Sequence, residues 1–224
     1  MNSATRTNVA TLGVILGLSG MAHGFAETLQ GNNPTGGMLI HAIAAGSSWT
    51  RWSAGGEAAF TLIPNFLLTG ILAMLVGLAV IVWSLGFVHS RYGASIFLLL
   101  FVLLFLVGGG IGQVAFFSPA WLVATRIHTP LNWWRDTVPA NMRRMLALAW
   151  SRLLSVASVL LLAGLILSFF GYLPGIQGME RVLAIMLSLV GASLLGFLLA
   201  FAAGFAWDIE HTKEQIGRLM ECAA

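Results

Sequence analysis

Long stretches without a charged residue are the feature that most constrains this chain. Residues 58–88 and 94–124 contain no Asp, Glu, Lys or Arg, and further apolar runs cover 7–26, 145–172 and 182–207. A helix of about 20 apolar residues crosses a hydrocarbon core roughly 30 Å thick. The pattern predicts an all-α, polytopic integral membrane protein with about five transmembrane helices in a compact bundle.

The composition supports the same class. Of the residues, 58% are hydrophobic and 8% are charged, whereas a soluble domain has roughly a quarter charged residues. We predict a single membrane domain over residues 1–224, with spans at about 7–26, 63–88, 94–118, 145–172 and 182–207. Residues 208–224 are expected to form a short charged cytoplasmic tail. A cleaved signal peptide is the alternative for the first run.

Arginine and tryptophan alternate between residues 121 and 144, which is typical of a segment lying at the membrane interface. With five crossings, the loops on one side carry eight basic residues and those on the other carry three. The positive-inside rule then favours an N-terminus outside and a C-terminus in the cytoplasm. The expected location is the cell membrane, of the bacterial inner membrane type, with several passes.

Small residues recur at helical spacing in the first and last runs. Gly13, Gly17, Gly20 and Gly24 share one helix face, and a second ridge is formed by Gly196, Ala200 and Gly204. Such ridges allow two helix backbones to approach closely. They predict tight packing, either within the chain or with a second copy or another membrane subunit.

The strongest candidate site is the pair His23 and Glu27, which lie one helical turn apart at the end of the first run. His41 is a third candidate ligand for a divalent metal, and Glu57 is a second candidate acid for catalysis. Catalytic zinc sites use three protein ligands and an open position. The alternative interpretation is a hydrogen-bonded pair at the membrane edge.

Two further features carry weaker hypotheses. Arg143, Arg144 and Arg152 cluster at the start of the fourth run, where they could bind an anion or a lipid headgroup or simply anchor the helix. Gln113 is predicted to be buried and therefore to need a polar partner.

Several function classes are excluded or disfavoured by the residues present. The chain has no nucleotide-binding motif, no histidine pair for a haem and no lysine within a span for retinal. The single cysteine, Cys222, excludes an intramolecular disulfide and a thiolate metal site. The eleven basic residues are scattered between apolar runs, so nucleic-acid binding is not expected.

These observations favour a binding or transport-type protein, or a subunit of a membrane complex, with membrane lipids as its surroundings. The alternative is a membrane-embedded enzyme, in which a divalent metal could take part. It would act on a lipid-like substrate through a polar site centred on His23 and Glu27.

Overall fold

The computed structural model describes residues 1–42 and 58–223, with side chains as far as residue 212. It is all-helical, with 74% of residues in helices and few in strands. The helices are α1 (Ser3–Thr28), α2 (Phe66–Gly86), α3 (Gly93–Leu106), α4 (Val114–Ala124), α5 (Asn132–Thr137), α6 (Ala140–Phe170) and α7 (Met179–Ala223). Two short strands, β1 (Leu39–His41) and β2 (Ala58–Phe60), pair antiparallel.

Four helices are long and apolar enough to cross a membrane: α1, α2, α6 and the part of α7 that ends at Thr212. In lipid no water is available to bond the backbone, so a helix, which satisfies its own N–H and C=O groups, is the stable form of such a run. The structure thus supports the membrane-protein prediction for these four segments.

The third apolar run does not form the single helix predicted for residues 94–118. The helix α3 ends at Leu106, and the chain then reverses through Gly108 and Gly110, whose φ angles are +102° and +93°. Such angles are strained for residues with a Cβ. The returning helix α4 packs against α3, with the Phe101 and Phe117 rings stacked 5.3 Å apart.

The helical hairpin formed by α3 and α4 lies along α1. The backbone N–H of Asn2, next to the start of α1, donates to the carbonyl of Ile127 at 2.8 Å, while Gly110 lies against His23 near the other end of α1. The third span was predicted to end at about residue 118, but α4 continues through Pro119 to Ala124. One apolar run therefore supplies two short antiparallel helices.

The helix α1 lies at the centre of the fold and packs antiparallel to α2 through glycines. A Cβ built on Gly24 would lie 2.5 Å from the carbonyl oxygen of Gly70, and one on Gly17 would lie 2.8 Å from that of Gly77. In the second ridge, a Cβ built on Gly196 would lie 2.9 Å from the Cβ of Ala157 in α6. Both ridges therefore make helix contacts within the chain.

The helices α6 and α7 form an antiparallel hairpin, which contacts α1 most firmly at one end. There the Asn8 amide donates to the carbonyl of Ala200 at 2.8 Å and accepts from Trp150 Nε1 at 2.8 Å. We call this the Asp208 end of the bundle and the opposite end, where α1 finishes, the Glu27 end.

Asp208 was predicted to begin a solvated tail, but it is 5% exposed. Its carboxylate accepts hydrogen bonds from the backbone N–H groups of Ala4 and Thr5, each at 2.9 Å. It thereby caps α1, which lacks a side-chain cap from its own Asn2. The start of α1 and residue 208 lie at the same end of the bundle, whereas five crossings would place them at opposite ends.

The connection between α1 and α2 is partly a small β structure. Strands β1 and β2 pair with each other, and Thr61 forms a further bridge with Val107 in the chain reversal. Within the predicted interfacial segment, α5 has no buried residue, and the ring of Trp134 packs 5.9 Å from that of Phe205 in α7.

Candidate functional site

Three polar residues follow one face of α1 toward its C-terminal end. Ser19, His23 and Glu27 stand at four-residue spacing, so their side chains project side by side. They are 9%, 4% and 0% exposed, respectively. Buried polar side chains of this kind within an apolar bundle require a local explanation.

The glycine reversal lies directly against this polar face. A Cβ on Gly108 would lie 2.5 Å from each carboxylate oxygen of Glu27, and one on Gly110 would lie 2.7 Å from His23 Nε2. Both positions also have positive φ angles. Glycine is therefore required here twice over, for the turn and for the close approach of its backbone to the two side chains.

The Glu27 carboxylate differs from most buried acids. Among the residues that the structure describes, neither of its oxygens has a hydrogen-bond partner. Nearby carbonyls are already engaged: that of Leu106 accepts from the N–H of Leu62 at 2.9 Å, and that of Val107 accepts from Thr69 Oγ1 at 2.8 Å. Glu27 is thus a buried acid whose carboxylate contacts the backbone at Gly108 and has no hydrogen-bond partner among the described residues.

A cavity of about 450 Å³ lies beside His23, between α1, the reversal and the α6–α7 hairpin. Its polar wall is formed by Ser19, His23 and Gln113. Gln113 lies near Ser19, with Nε2 3.4 Å from Oγ, and donates to the carbonyl of Gly109. The prediction that Gln113 is buried and has a polar partner is confirmed.

The remaining lining of the cavity is mostly aliphatic. It comes from the C-terminal part of α6 and the N-terminal part of α7, including Leu161, Leu165, Met186 and Val190. Leu187, which also lines the cavity, is 58% exposed. The cavity therefore extends to the protein surface at α7.

The predicted metal ligands do not assemble in the described part of the chain. No group of three or more His, Cys, Asp or Glu side chains there could hold a metal ion. His23 and Glu27 are buried, but His41 is exposed on β1. Glu57, the second candidate acid, lies outside the described residues, so its catalytic role stays a prediction.

The three arginines proposed as an anion site are in different environments. Arg143 is 5% exposed, pairs with Glu210, and donates from Nη1 to the carbonyls of Arg135 at 3.0 Å and Val138 at 3.2 Å. Arg144 and Arg152 are exposed on α6. Arg143 therefore ties α6 to α7 and leaves no three-arginine cluster for an anion.

The sequence indicated the polar wall of the cavity on α1 but not the aliphatic wall formed by α6 and α7. The spacing of Ser19, His23 and Glu27 was visible as a polar stripe, although Ser19 was not singled out. No sequence signal marked Leu165 or Met186 as cavity residues, because their run is apolar throughout. Comparison of the chain with protein-family models, with curated proteins and with solved structures found no match.

Proposed function

We propose that this protein binds a small amphiphilic molecule dissolved in the membrane, in the cavity between α1, the reversal and the α6–α7 hairpin. The observation that carries the proposal is the lining of that cavity, which is mostly apolar, with a polar wall of Ser19, His23 and Gln113 and one further polar side chain, Ser168 in α6. Ligand sites of this size usually combine an apolar lining with a few convergent polar groups.

The lining suggests the chemistry of the ligand. An aliphatic tail would contact Leu165, Met186 and Val190, and an oxygen-bearing head would meet His23 and Gln113. A neutral head with a hydroxyl or carbonyl group fits better than a carboxylate, because the described lining of the cavity contains no Lys or Arg. The opening beside Leu187 would admit the ligand from the bilayer rather than from water.

Photo-crosslinking tests the proposal. The probe is a medium-chain monoacylglycerol that carries a diazirine in its tail, applied to the full chain in lipid nanodiscs. We expect saturable crosslinks, competed by unlabelled monoacylglycerol, on residues 161–171 and 179–190. Crosslinks spread evenly over all lipid-facing helices, without competition, would reject the proposal.

A matched pair of variants sharpens this test. Met186→Trp fills the cavity and should abolish the competed crosslinks, whereas Met145→Trp places the same side chain at an exposed position on α6. His23→Phe removes a polar contact from the wall, and the expected loss of probe affinity is about three- to tenfold. Equal labelling of both tryptophan variants would place the ligand elsewhere.

We infer the side of the membrane from the distribution of arginines. Among the described residues, arginines concentrate at the Asp208 end, whereas Arg181 lies at the Glu27 end. The arginines at the Asp208 end are Arg6, Arg91, Arg126, Arg135, Arg143 and Arg144. The positive-inside rule therefore favours a cytoplasmic location for this end, with the start of α1 and the C-terminal part of α7.

Labelling of the single cysteine, Cys222, tests this orientation. A membrane-impermeant maleimide should label it in inside-out vesicles and not in right-side-out vesicles. A tag added before Met1 should become accessible to protease in the same vesicles. Opposite accessibility of the tag and of Cys222 would restore the five-crossing topology.

A further inference from the structure

We propose that Glu27 is a proton-binding site, and that His23 passes the proton between it and the cavity. Glu27 is 0% exposed, and in the described part of the chain both of its oxygens lack a hydrogen-bond partner. An isolated ionised carboxylate in a medium of low dielectric is strongly unfavourable, and such a group takes up a cation or a proton instead. The geometry adds three reasons for a proton.

The first reason is the position of Glu27 relative to helix ends. It lies in the last turn of α1, which ends at Thr28, and it contacts Gly108, two residues beyond the end of α3. Helix C-termini carry partial negative charge. A negative carboxylate is therefore disfavoured by its own helix and by α3, in addition to burial.

The second reason is the absence of a compensating positive charge in the described structure around it. The helices α2, α3 and α4 contain no charged residue. The other charged or titratable groups described at this end are His41, Tyr172, Glu180 and Arg181, all of which are exposed. His23 is the one titratable side chain buried beside Glu27, and Arg51 and Glu57 lie outside the described residues.

The third reason distinguishes a proton from a metal ion. A hard cation such as Ca²⁺ or Mg²⁺ needs several oxygen ligands around it. Among the described residues no group of three or more His, Cys, Asp or Glu side chains could hold a metal ion, and the carbonyl oxygens of Leu106, Val107 and Gly109, which flank the site, each already accept a hydrogen bond. A proton needs only one carboxylate oxygen, which becomes the hydroxyl of the neutral acid.

His23 supplies the route for the proton. It lines the cavity, and it stands one helical turn before Glu27 on the same face of α1. An imidazole can accept a proton at one ring nitrogen and release the proton from the other. A proton taken from water or ligand in the cavity would thus reach the carboxylate of Glu27 and leave it neutral, and the reverse path returns it.

Infrared difference spectroscopy on the full chain in lipid nanodiscs tests this inference. The wild-type protein should show the C=O stretching band of a protonated, buried carboxyl group. Labelling with ¹³C-glutamate should shift the band, Glu27→Gln should abolish it, and Glu180→Gln should leave it unchanged. The isotope shift needs no mutation, so the result does not depend on how well the variant folds.

The relay through His23 has its own readout. Transfer to D₂O should shift the Glu27 band, and His23→Asn should keep the band but slow its exchange by about tenfold or more. An unchanged exchange rate in His23→Asn would exclude the relay. A wild-type spectrum without a Glu27-dependent band, or a band that disappears on adding Na⁺ at constant pH, would overturn the proton site.

Discussion

Asp208 and Glu27 are both buried acids, and they lie at opposite ends of the same helix. Asp208 faces the N-terminus of α1 and accepts hydrogen bonds from Ala4 and Thr5, including Thr5 Oγ1 at 2.6 Å. Glu27 lies at the C-terminal end of α1, and its oxygens have no hydrogen-bond partner among the described residues. The dipole of α1 and these hydrogen bonds stabilise a charge on Asp208, whereas the same dipole opposes a charge on Glu27.

The comparison teaches that burial of an acid does not by itself indicate function. Asp208 has a structural role, because its hydrogen bonds connect α7 to the start of α1. The carboxylate of Glu27 makes no hydrogen bond to any described residue, and it lies next to His23, which lines the cavity. The two ends of the bundle should therefore respond differently to mutation.

The largest expected effect concerns the ion pair at the Asp208 end. Arg143→Met removes the buried cation that pairs with Glu210 and donates to the carbonyls of Arg135 and Val138, and it should lower the free energy of unfolding by about 3–5 kcal/mol. Arg144→Met, at the neighbouring exposed position, should change it by less than about 0.5 kcal/mol. Unfolding by SDS titration in mixed micelles measures both, and equal losses would show that Arg143 has no special structural role.

The capping role of Asp208 should give the next largest effect. Asp208→Ala leaves the N–H groups of Ala4 and Thr5 without their acceptor, so the unfolding free energy should fall by about 2–4 kcal/mol. Asp136→Ala is the matched control, because the side chain of Asp136 is 69% exposed in its ion pair with Arg135. The same titration applies, and a loss below about 1 kcal/mol for Asp208→Ala would contradict the cap.

Packing between α1 and α2 at the Glu27 end should be sensitive to a single methyl group. Gly24→Ala places a Cβ 2.5 Å from the carbonyl oxygen of Gly70 and should cost about 1–3 kcal/mol. Gly191→Ala in α7 has no atom within 4 Å of the new Cβ and should stabilise the helix by up to about 1 kcal/mol. Thermal unfolding in detergent should show opposite signs for the two variants.

The smallest expected effect is at Glu27 itself. Glu27→Gln keeps the shape of a neutral carboxylic acid, so the unfolding free energy should change by no more than about 1 kcal/mol. Glu180→Gln, at an exposed position, serves as the reference for that measurement. A loss as large as that of Asp208→Ala would show that Glu27 has a structural partner, and it would remove the contrast between the two acids.

The helical class, four of the five predicted spans as long apolar helices, and the glycine contacts of α1 followed from the sequence alone. Hydropathy over about 20 residues and the spacing of small residues are local properties, which lipid translates directly into helices and close contacts. The placement of His23 and Glu27 on the same face of α1 also followed from their spacing.

Only the tertiary structure decided where the third run turns and what surrounds the buried charges. The reversal depends on the φ angles of Gly108 and Gly110, which hydropathy does not report. Asp208 and Arg143 are held by partners far away in the sequence, Ala4 and Thr5 for one and Glu210 for the other. The satisfaction of a buried polar group is a property of the assembled bundle, so no local pattern could separate Asp208 from Glu27.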